Sequence, residues 1–533
     1  MTTKTNLGVQ QVTKSPCVVT NIIALRAQLK DAQSTVQTLG YYSAGDGGGG
    51  LYRYESSDTS STDNGGTTIV ATDGGRWKLV LASVVNVKSF GAKGDGTSDD
   101  TSFVQSAVNQ LSRPLPDVHG KPVTIFFPEG FYRLTDTISL PGAICILGEG
   151  GLSYAGTILR QETLNKDLFK VTSTGNFACE IRNVLLKNGA GSGSGYLFNC
   201  PGTVPSANSL YFERVWFQLP ESYAFNIEKC DDTQFVNCTF DVTAFRWGKI
   251  GTASYQCSNF VITGCTFYAG FSNLGCVDVI NVANLLVTNN RVYGGGFRIP
   301  YFINATFAPV CYGITVQGNT SDQVDVLVQA NKIVNVSNNY VSNGGLLVAL
   351  SGGTPIYGVT VVGNTFTGAT SIVTPNVGII DATGTPVVDS VVSDNVLIGN
   401  SGGTSPYGIN FPHASSISNR LKNVIDGCTA KYNVTSGVNN GLDLDIKSSF
   451  GGWSPVVAAG ASVTNTIAVA GLRNTDMVHL SPYSTDVVPA GVSLSWVTST
   501  NTITLRYRNM TASSITVPSQ DYLVSVVRPD SLA

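Results

Sequence analysis

The sequence is poor in charge. Of 533 residues, 32 are Lys or Arg and 35 are Asp or Glu, 13% in all, against ~25% in ordinary soluble domains. The net charge of −3 gives no electrostatic reason to expect nucleic acid or an anionic membrane as partner. No apolar run approaches the ~18 residues of a bilayer-spanning helix, so membrane insertion is not expected. Met1–Gln11 is polar and lacks the apolar stretch of a secretion signal, so none is expected. Histidine occurs three times, as His119, His413 and His479, and the 11 cysteines include no C-x-x-C. That spacing argues against a structural zinc site, and neither a metal nor an organic cofactor is indicated. An odd cysteine count leaves at least one thiol unpaired, as free buried thiols made in a reducing cytosol would be. Glutamate is scarce too: there are eight, and none follows Glu228.

What remains is rich in Gly, with 58 residues, and 42% apolar, which excludes disorder as a description of the whole chain. The abundance of Val, Thr, Ser, Asn and Gly favours short strands joined by polar turns. Residues Asn21–Gln37 read as a short helix from Ile22, Ile23, Leu25, Leu29 and Val36. The run Ser43–Gly50 follows. It lacks the Lys-Ser/Thr ending of a phosphate cradle and no helix comes after it, so it reads as turn chemistry. Strands are expected at Leu51–Glu55, Thr68–Ala71 and Arg76–Leu81. Ser98 or Asp99 can cap a helix running from Phe103 to Leu111, and N-capping accounts for Asp99 and Asp100 together.

From about residue 140 an internal repeat dominates. Val236-Asn-Cys-Thr-Phe240, Thr263-Gly-Cys-Thr-Phe267, Thr288-Asn-Asn-Arg-Val292, Gln317-Gly-Asn-Thr-Ser321, Ser337-Asn-Asn-Tyr-Val341, Val362-Gly-Asn-Thr-Phe366 and Ser393-Asp-Asn-Val-Leu397 share a pattern. They align on Cys238, Cys265, Asn290, Asn319, Asn339, Asn364 and Asn395. A second register runs eight residues earlier through Cys230 and Cys257, with Cys311. A period of about 20–30 residues holds one coil of a parallel β-solenoid. Asn at such a turn tolerates left-handed backbone and bonds its stacked neighbours through the amide, so these Asn and Cys are structural. A leucine-rich repeat lacks its frame here, and a (β/α)8 barrel lacks its helices. After about residue 440 the repeat fades, and Ser462–Val469, Met477–Leu480, Val492–Val497, Thr502–Arg508 and Leu523–Val527 read as antiparallel strands of a β-sandwich. Such a domain could cap the solenoid, trimerise or bind sugar.

The segment Val85-Asn-Val-Lys-Ser-Phe-Gly-Ala-Lys-Gly-Asp-Gly-Thr-Ser-Asp-Asp-Thr101, continued by Ile125-Phe-Phe-Pro-Glu-Gly-Phe-Tyr132, resembles the opening of the pectate-lyase-like superfamily of right-handed parallel β-helices. Ala44-Gly-Asp-Gly-Gly-Gly-Gly-Leu-Tyr-Arg-Tyr54 and Asp73-Gly-Gly-Arg-Trp77 resemble the segment preceding the β-helix in bacteriophage tailspikes. The resemblance implies an all-β homotrimeric spike of the virion tail, assembled in the host cytoplasm. It implies a depolymerase acting on capsular or O-antigen polysaccharide. The expected division is a docking peptide for another tail protein with a short helix in 1–40, a small β module in 41–84, the β-helix with its cap in 85–445, and the sandwich in 446–533.

Glycan cleavage by hydrolysis needs two carboxyls, one to protonate the leaving oxygen and one to activate water or attack. Aligning Ala224–Lys229, Ala244–Lys249, Cys276–Asn281, Gly296–Tyr301 and Val324–Gln329 as one strand per coil puts Phe225, Ile227, Phe245, Trp247, Val277, Val279, Phe297 and Ile299 inside. The outward column then reads Asn226, Arg246, Asp278, Arg298, with Glu228 one pleat along and Asp325 on the next coil. Glu228 and Asp278 are expected as the acid/base pair, with Asp278 and Asp325 as the rival pair. Arg246 and Arg298 are expected to hold an acidic sugar, and Tyr293 and Tyr301 to stack on sugar rings. Trp247 is expected in the core; Phe271 and His413 are weaker candidates. Glu180, Glu213, Asp231 and Asp232 read as structural. The alternatives are a lyase using Arg246, Arg298 or Tyr301 beside a uronate, and a spike that binds glycan without cleaving it.

Overall fold

The computed structural model describes residues 17–30, 32–112, 124–150, 154–173, 176–189, 191, 193–203, 206–242, 246–269, 277–293, 303–304, 312–322, 326–328, 332–342, 346–348, 356–369, 380–381, 387–399, 407–411, 420–426, 430–434, 441–442, 444–449, 454–468, 472, 474–482, 488–518 and 521–527. The chain forms two compact units, Met1–Ser222 and Tyr223–Ala533.

The first unit begins with a five-stranded sheet built from Cys17–Val19, Thr35–Thr38, Gly50–Tyr54, Arg76–Leu79 and Thr68–Val70, in that spatial order. One face buries Val36, Tyr52, Ile69 and Trp77 against Ile22 and Leu25. The helix expected over Asn21–Gln37 is only Ile22–Arg26, N-capped by Asn21 through the Ala24 N–H. Its second half gives way to Thr35–Thr38, because this segment pairs on both edges, with Cys17–Val19 and with Gly50–Tyr54. Paired backbone on two sides and a buried Val36 outweigh local helix preference. The glycine loop is filled by its own carboxylate. Asp46 accepts N–H bonds from Tyr41, Tyr42, Ser43 and Gly48, so the donors that a phosphate would need are already used.

After this sheet the strands pair in parallel. Val84–Asn86, Thr124–Phe127, Ile144–Gly148 and Asn176–Asn188 follow one another along one wall. Ile138–Leu140, Phe169–Val171 and Phe198–Cys200 form another. The helix Thr101–Leu111 covers the start with Val104, Ala107, Val108 and Leu111 buried. Asp99 accepts the Thr101 N–H, as a capping side chain would. Asp100, in contrast to the sequence expectation, makes no capping bond; its buried carboxylate accepts the N–H groups of Lys93 and Gly94 instead.

The second unit continues the parallel β-helix pattern with three walls. One contains Cys257–Thr263, Val282–Thr288, Tyr312–Gln317, Lys332–Ser337 and Ile356–Val362. The next contains Thr239–Val242, Thr266–Ala269, Arg291–Tyr293, Thr320–Asp322 and Tyr340–Ser342. The third contains Tyr223–Ile227, Arg246–Ile250, Val277–Val279 and Ile303–Asn304. Phe225, Phe235, Phe240, Phe260 and Phe267 fill the interior, the last pair of Phe240 and Phe267 stacked at 4.6 Å.

Between the first two walls stands a ladder of buried asparagines. The Nδ2 of Asn290, Asn319, Asn339, Asn364 and Asn395 each donates to the Oδ1 of the next rung, ending on Asn423, over 2.7–2.9 Å. Each Oδ1 also takes the backbone N–H of the rung before it, from Cys265 N to Asn290 onward. At the start of the ladder a sulfur replaces the amide, with Cys238 N donating to Cys265 Sγ. The repeat read from the sequence is this ladder, extended by Asn423. The left-handed residue is the one before each rung: Asn237, Gly264, Asn289, Gly318, Asn338, Gly363 and Asp394 all have positive φ. Two tasks assigned to one Asn are thus divided between neighbours.

All described cysteines are free thiols. Burial pushes those of Cys230 and Cys257 up to about 11 and about 12; Cys311 lies outside the described residues. Beyond the last coils the strands turn antiparallel. Leu444–Ser449, Asp521–Val527 and Met477–Pro482 form one sheet, and Ser462–Ala468, Thr502–Asn509 and Val492–Ser499 another. No helix among the described residues is long and apolar enough to cross a membrane.

Candidate functional site

The third wall of the second unit carries the polar groups. Its register places Asn226, Lys249, Asp278 and Asn304 level with one another on four successive strands. The sequence expectation had Arg246 and Arg298 in those places. Arg246 pairs instead with Tyr223, three residues nearer the strand start. The slip has a steric cause: Gly248 sits opposite Phe225, where any side chain would run into the phenylalanine ring. Asn304 stands beside Asp278 where Arg298 was expected; Arg298, Tyr301, Asp325, Phe271 and His413 lie outside the described residues.

Two close contacts organise the wall. Lys249 Nζ lies 3.1 Å from Glu228 Oε1, with both side chains about a quarter exposed. Tyr223 donates its hydroxyl to Asp278 Oδ2 over 2.8 Å, reaching across the intervening strand. Asn226 and Asp278 are buried, at 3% and 8% exposure, rather than open to solvent as expected. Glu228 and Asp278 stand two strands and two residues apart, roughly 12 Å at the backbone from the ~4.8 Å strand spacing and ~3.3 Å rise, with Lys249 on the strand between them. Side-chain reach can bring such carboxyls within the ~6.5–9.5 Å of an inverting pair. Lys249 and Tyr223 were missed by sequence reasoning. Lys249 lay at the end of the aligned segment, and a correct register was the only signal for it.

Tyr293 is exposed and stacks on Tyr268 at 5.3 Å, their rings nearly parallel. Both are on the second wall, so Tyr293 is not in the column of Asp278. Trp247 is fully buried, donating its indole N–H to the Tyr268 carbonyl. Tyr255 holds Asp231 through its hydroxyl. In the first unit Arg182 lies between Glu180 and Glu213, forming ion pairs with both. Glu221, not singled out in the sequence, is fully buried; its Oε2 takes the N–H groups of Asn165 and Gly195. Gly193 and Gly195 leave room for that carboxylate, which a side chain at either would crowd. Among the described residues, no group of three or more His, Cys, Asp or Glu is disposed to hold a metal ion.

Residues 18–82 match a family described as phage tail protein small four-stranded beta-sheet domain. Residues 84–296 match one described as rhamnogalacturonase A/epimerase, pectate lyase-like. A glucan 1,3-beta-glucosidase of Cochliobolus carbonum is 35% identical over 71 residues, 13% of this chain and 8% of that protein. A non-secreted LysM effector of Penicillium expansum is 31% identical over 85 residues, 16% of this chain. The chain thus spans only 6–8% of the length of these curated relatives. Among solved structures, a tailspike protein from Acinetobacter baumannii bacteriophage Fri1, a capsular polysaccharide depolymerase, is similar over 97% of this chain and 99% of its own, with 14% identity and a TM-score of 0.45. A full-length tailspike protein 2 from an Escherichia coli O157:H7 bacteriophage is similar over 98% of this chain and 78% of its own, with 14% identity and a TM-score of 0.41.

Proposed function

We propose that this chain is a bacteriophage tailspike that binds and cleaves a bacterial surface polysaccharide, capsular or O-antigen, by glycoside hydrolysis. The observation that carries the chemistry is the Glu228–Lys249–Asp278 arrangement on adjacent strands of one β-helix wall. The phage tail match of residues 18–82 and the pectate lyase-like match of residues 84–296 support the setting. In this reading one carboxyl protonates the glycosidic oxygen as the bond to the anomeric carbon breaks. The other takes a proton from the water that adds there. Lys249 pairs with the acidic groups of wall and sugar, and Tyr223 orients Asp278. Arg246, Arg298, Tyr301 and Tyr293 are substrate contacts in this reading, and Asp325 is the rival carboxyl. We further propose a homotrimer in the virion tail, attached through the N-terminal region to another tail protein, with domain limits near residues 40, 84 and 445.

The test is reducing-end release from a panel of capsular polysaccharides. Glu228→Gln and Asp278→Asn are each expected to slow it by about 10²–10⁴-fold, the usual weight of a general acid or base; wild-type rates in both variants would end the assignment. The Tyr223–Asp278 bond and the adjacent Lys249 favour one second reading, β-elimination on a uronate, with a tyrosine to move the proton and a cation to neutralise the acid. Ultraviolet absorbance of an unsaturated product separates the two. Glycan that keeps its length after prolonged incubation would leave a binding spike.

A further inference from the structure

A cavity of about 350 Å³ opens in the first unit, between the glycine loop and the start of the β-helix, lined by Tyr41, Tyr42, Asp46, Lys88, Lys93 and Asp95, among others. Its two acids are turned into their own loops. Asp46 takes four backbone N–H groups. Burial pushes its carboxyl up, but those N–H bonds outweigh burial and hold it below the ordinary carboxylate range. Asp95 takes the N–H and hydroxyl groups of Thr97 and Ser98, which hold its carboxyl well below that range.

The two ammonium groups are not so engaged. Among the described residues neither Lys88 nor Lys93 has a carboxylate in ion-pair range. Lys93 Nζ instead stands 5.3 Å from the centre of the Tyr42 ring. That ring is held in place by the Tyr42 hydroxyl, which donates to the Gly91 carbonyl over 2.7 Å. Tyr41 stands edge-on to it at 4.8 Å. The cavity therefore offers two cations and fixed aromatic surface, while its acids are already satisfied. The acids' oxygens are taken by loop donors while the ammonium donors have no carboxylate partner among the described residues, which favours an anion. The volume falls in the ~300–1,000 Å³ range of small-molecule sites and exceeds what one acidic side chain fills, which favours an anion attached to a ring.

We infer that this cavity binds a carboxylated sugar unit, with Lys88 and Lys93 holding the carboxylate and the Tyr41–Tyr42 pair bearing on the sugar ring. It is a second glycan site, in a different unit from the Glu228–Asp278 wall. The source of the ligand, acidic surface polysaccharide, rests on the proposed function; the site's chemistry does not.

The experiment titrates full-length protein with sodium glucuronate by calorimetry and saturation-transfer NMR, with glucose and a hexaglutamate peptide as comparison probes. Glucuronate is expected to bind, glucose more weakly, and the double variant Lys88→Gln/Lys93→Gln to weaken glucuronate at least tenfold. Ser43→Trp, placed on the exposed rim, is expected to block it by filling the space. Glucuronate that does not bind, or binds equally well to both altered proteins, overturns the inference. Hexaglutamate held by these lysines in preference to glucuronate also overturns it, in favour of a tail-protein contact. If no polysaccharide is cleaved while glucuronate still depends on the two lysines, the proposed function fails and this site stands.

Discussion

Two rows of stacked residues in the second unit behave in opposite ways. The asparagine ladder repeats one side chain from Asn290 to Asn423, and each rung up to Asn395 donates to the next. The polar wall changes residue at every strand: Asn226, Lys249, Asp278, Asn304. A row of identical rungs satisfies itself and leaves nothing for a ligand. A row of unlike groups juxtaposes acid, amine and amide, which is what binding and proton transfer require. Uniformity marks the fold's own maintenance, and variation marks the place where chemistry can reside.

The contrast can be broken most sharply at the middle of the ladder. Asn339→Ala removes bonds to Val316 O and Asn364 Oδ1 and the acceptor for two groups of Asn319. Leaving buried polar groups unpaired costs ~1–3 kcal/mol each, so a loss of roughly 3 kcal/mol or more is expected in urea denaturation of the full chain. A loss below 1 kcal/mol would show that the ladder is not self-maintaining. On the wall, Tyr223→Phe removes one hydrogen bond to the buried Asp278 carboxylate and is expected to cost about 1–3 kcal/mol. Polysaccharide cleavage is expected to fall about tenfold, with kcat affected more than KM. Unchanged cleavage would remove Tyr223 from the site.

The smallest effect concerns the glycine loop, where a self-satisfied cluster sits beside Lys88 and Lys93. The Asp46 carboxyl is held low in the folded state. Its stabilising contribution is therefore present above the unfolded value, ~3.9, and fades as pH falls through the lower folded value. Asp46→Asn is expected to lower the Tm at pH 7, and the gap to the parent is expected to close toward pH 2. A gap that widens on acidification would contradict this sign.

How much was legible follows from the same contrast. The rungs Cys238, Cys265, Asn290, Asn319, Asn339, Asn364 and Asn395 could be aligned by eye, although successive rungs are 20 to 31 residues apart. The local motif around each rung is constant, and length differences are absorbed elsewhere in the coil. The wall offered no such marker. Asp278 and Glu228 were singled out because acids are few, but the column was set three residues out at Arg246, because no repeated residue pins that strand. Tyr223 could not be found from spacing, since it reaches Asp278 diagonally.

Composition, the absence of long apolar runs and the repeated Asn motif determined by themselves that the chain winds as a parallel β-helix, because a side chain that bonds its own copy can be recognised as a repeat. The tertiary structure alone decided that Lys249 rather than Arg246 stands between Glu228 and Asp278, and that Asp278 is buried under a tyrosine. Those outcomes depend on how Gly248 fits against the Phe225 ring and on which neighbours reach across strands. Such contacts join residues whose separation in the chain carries no periodic signal.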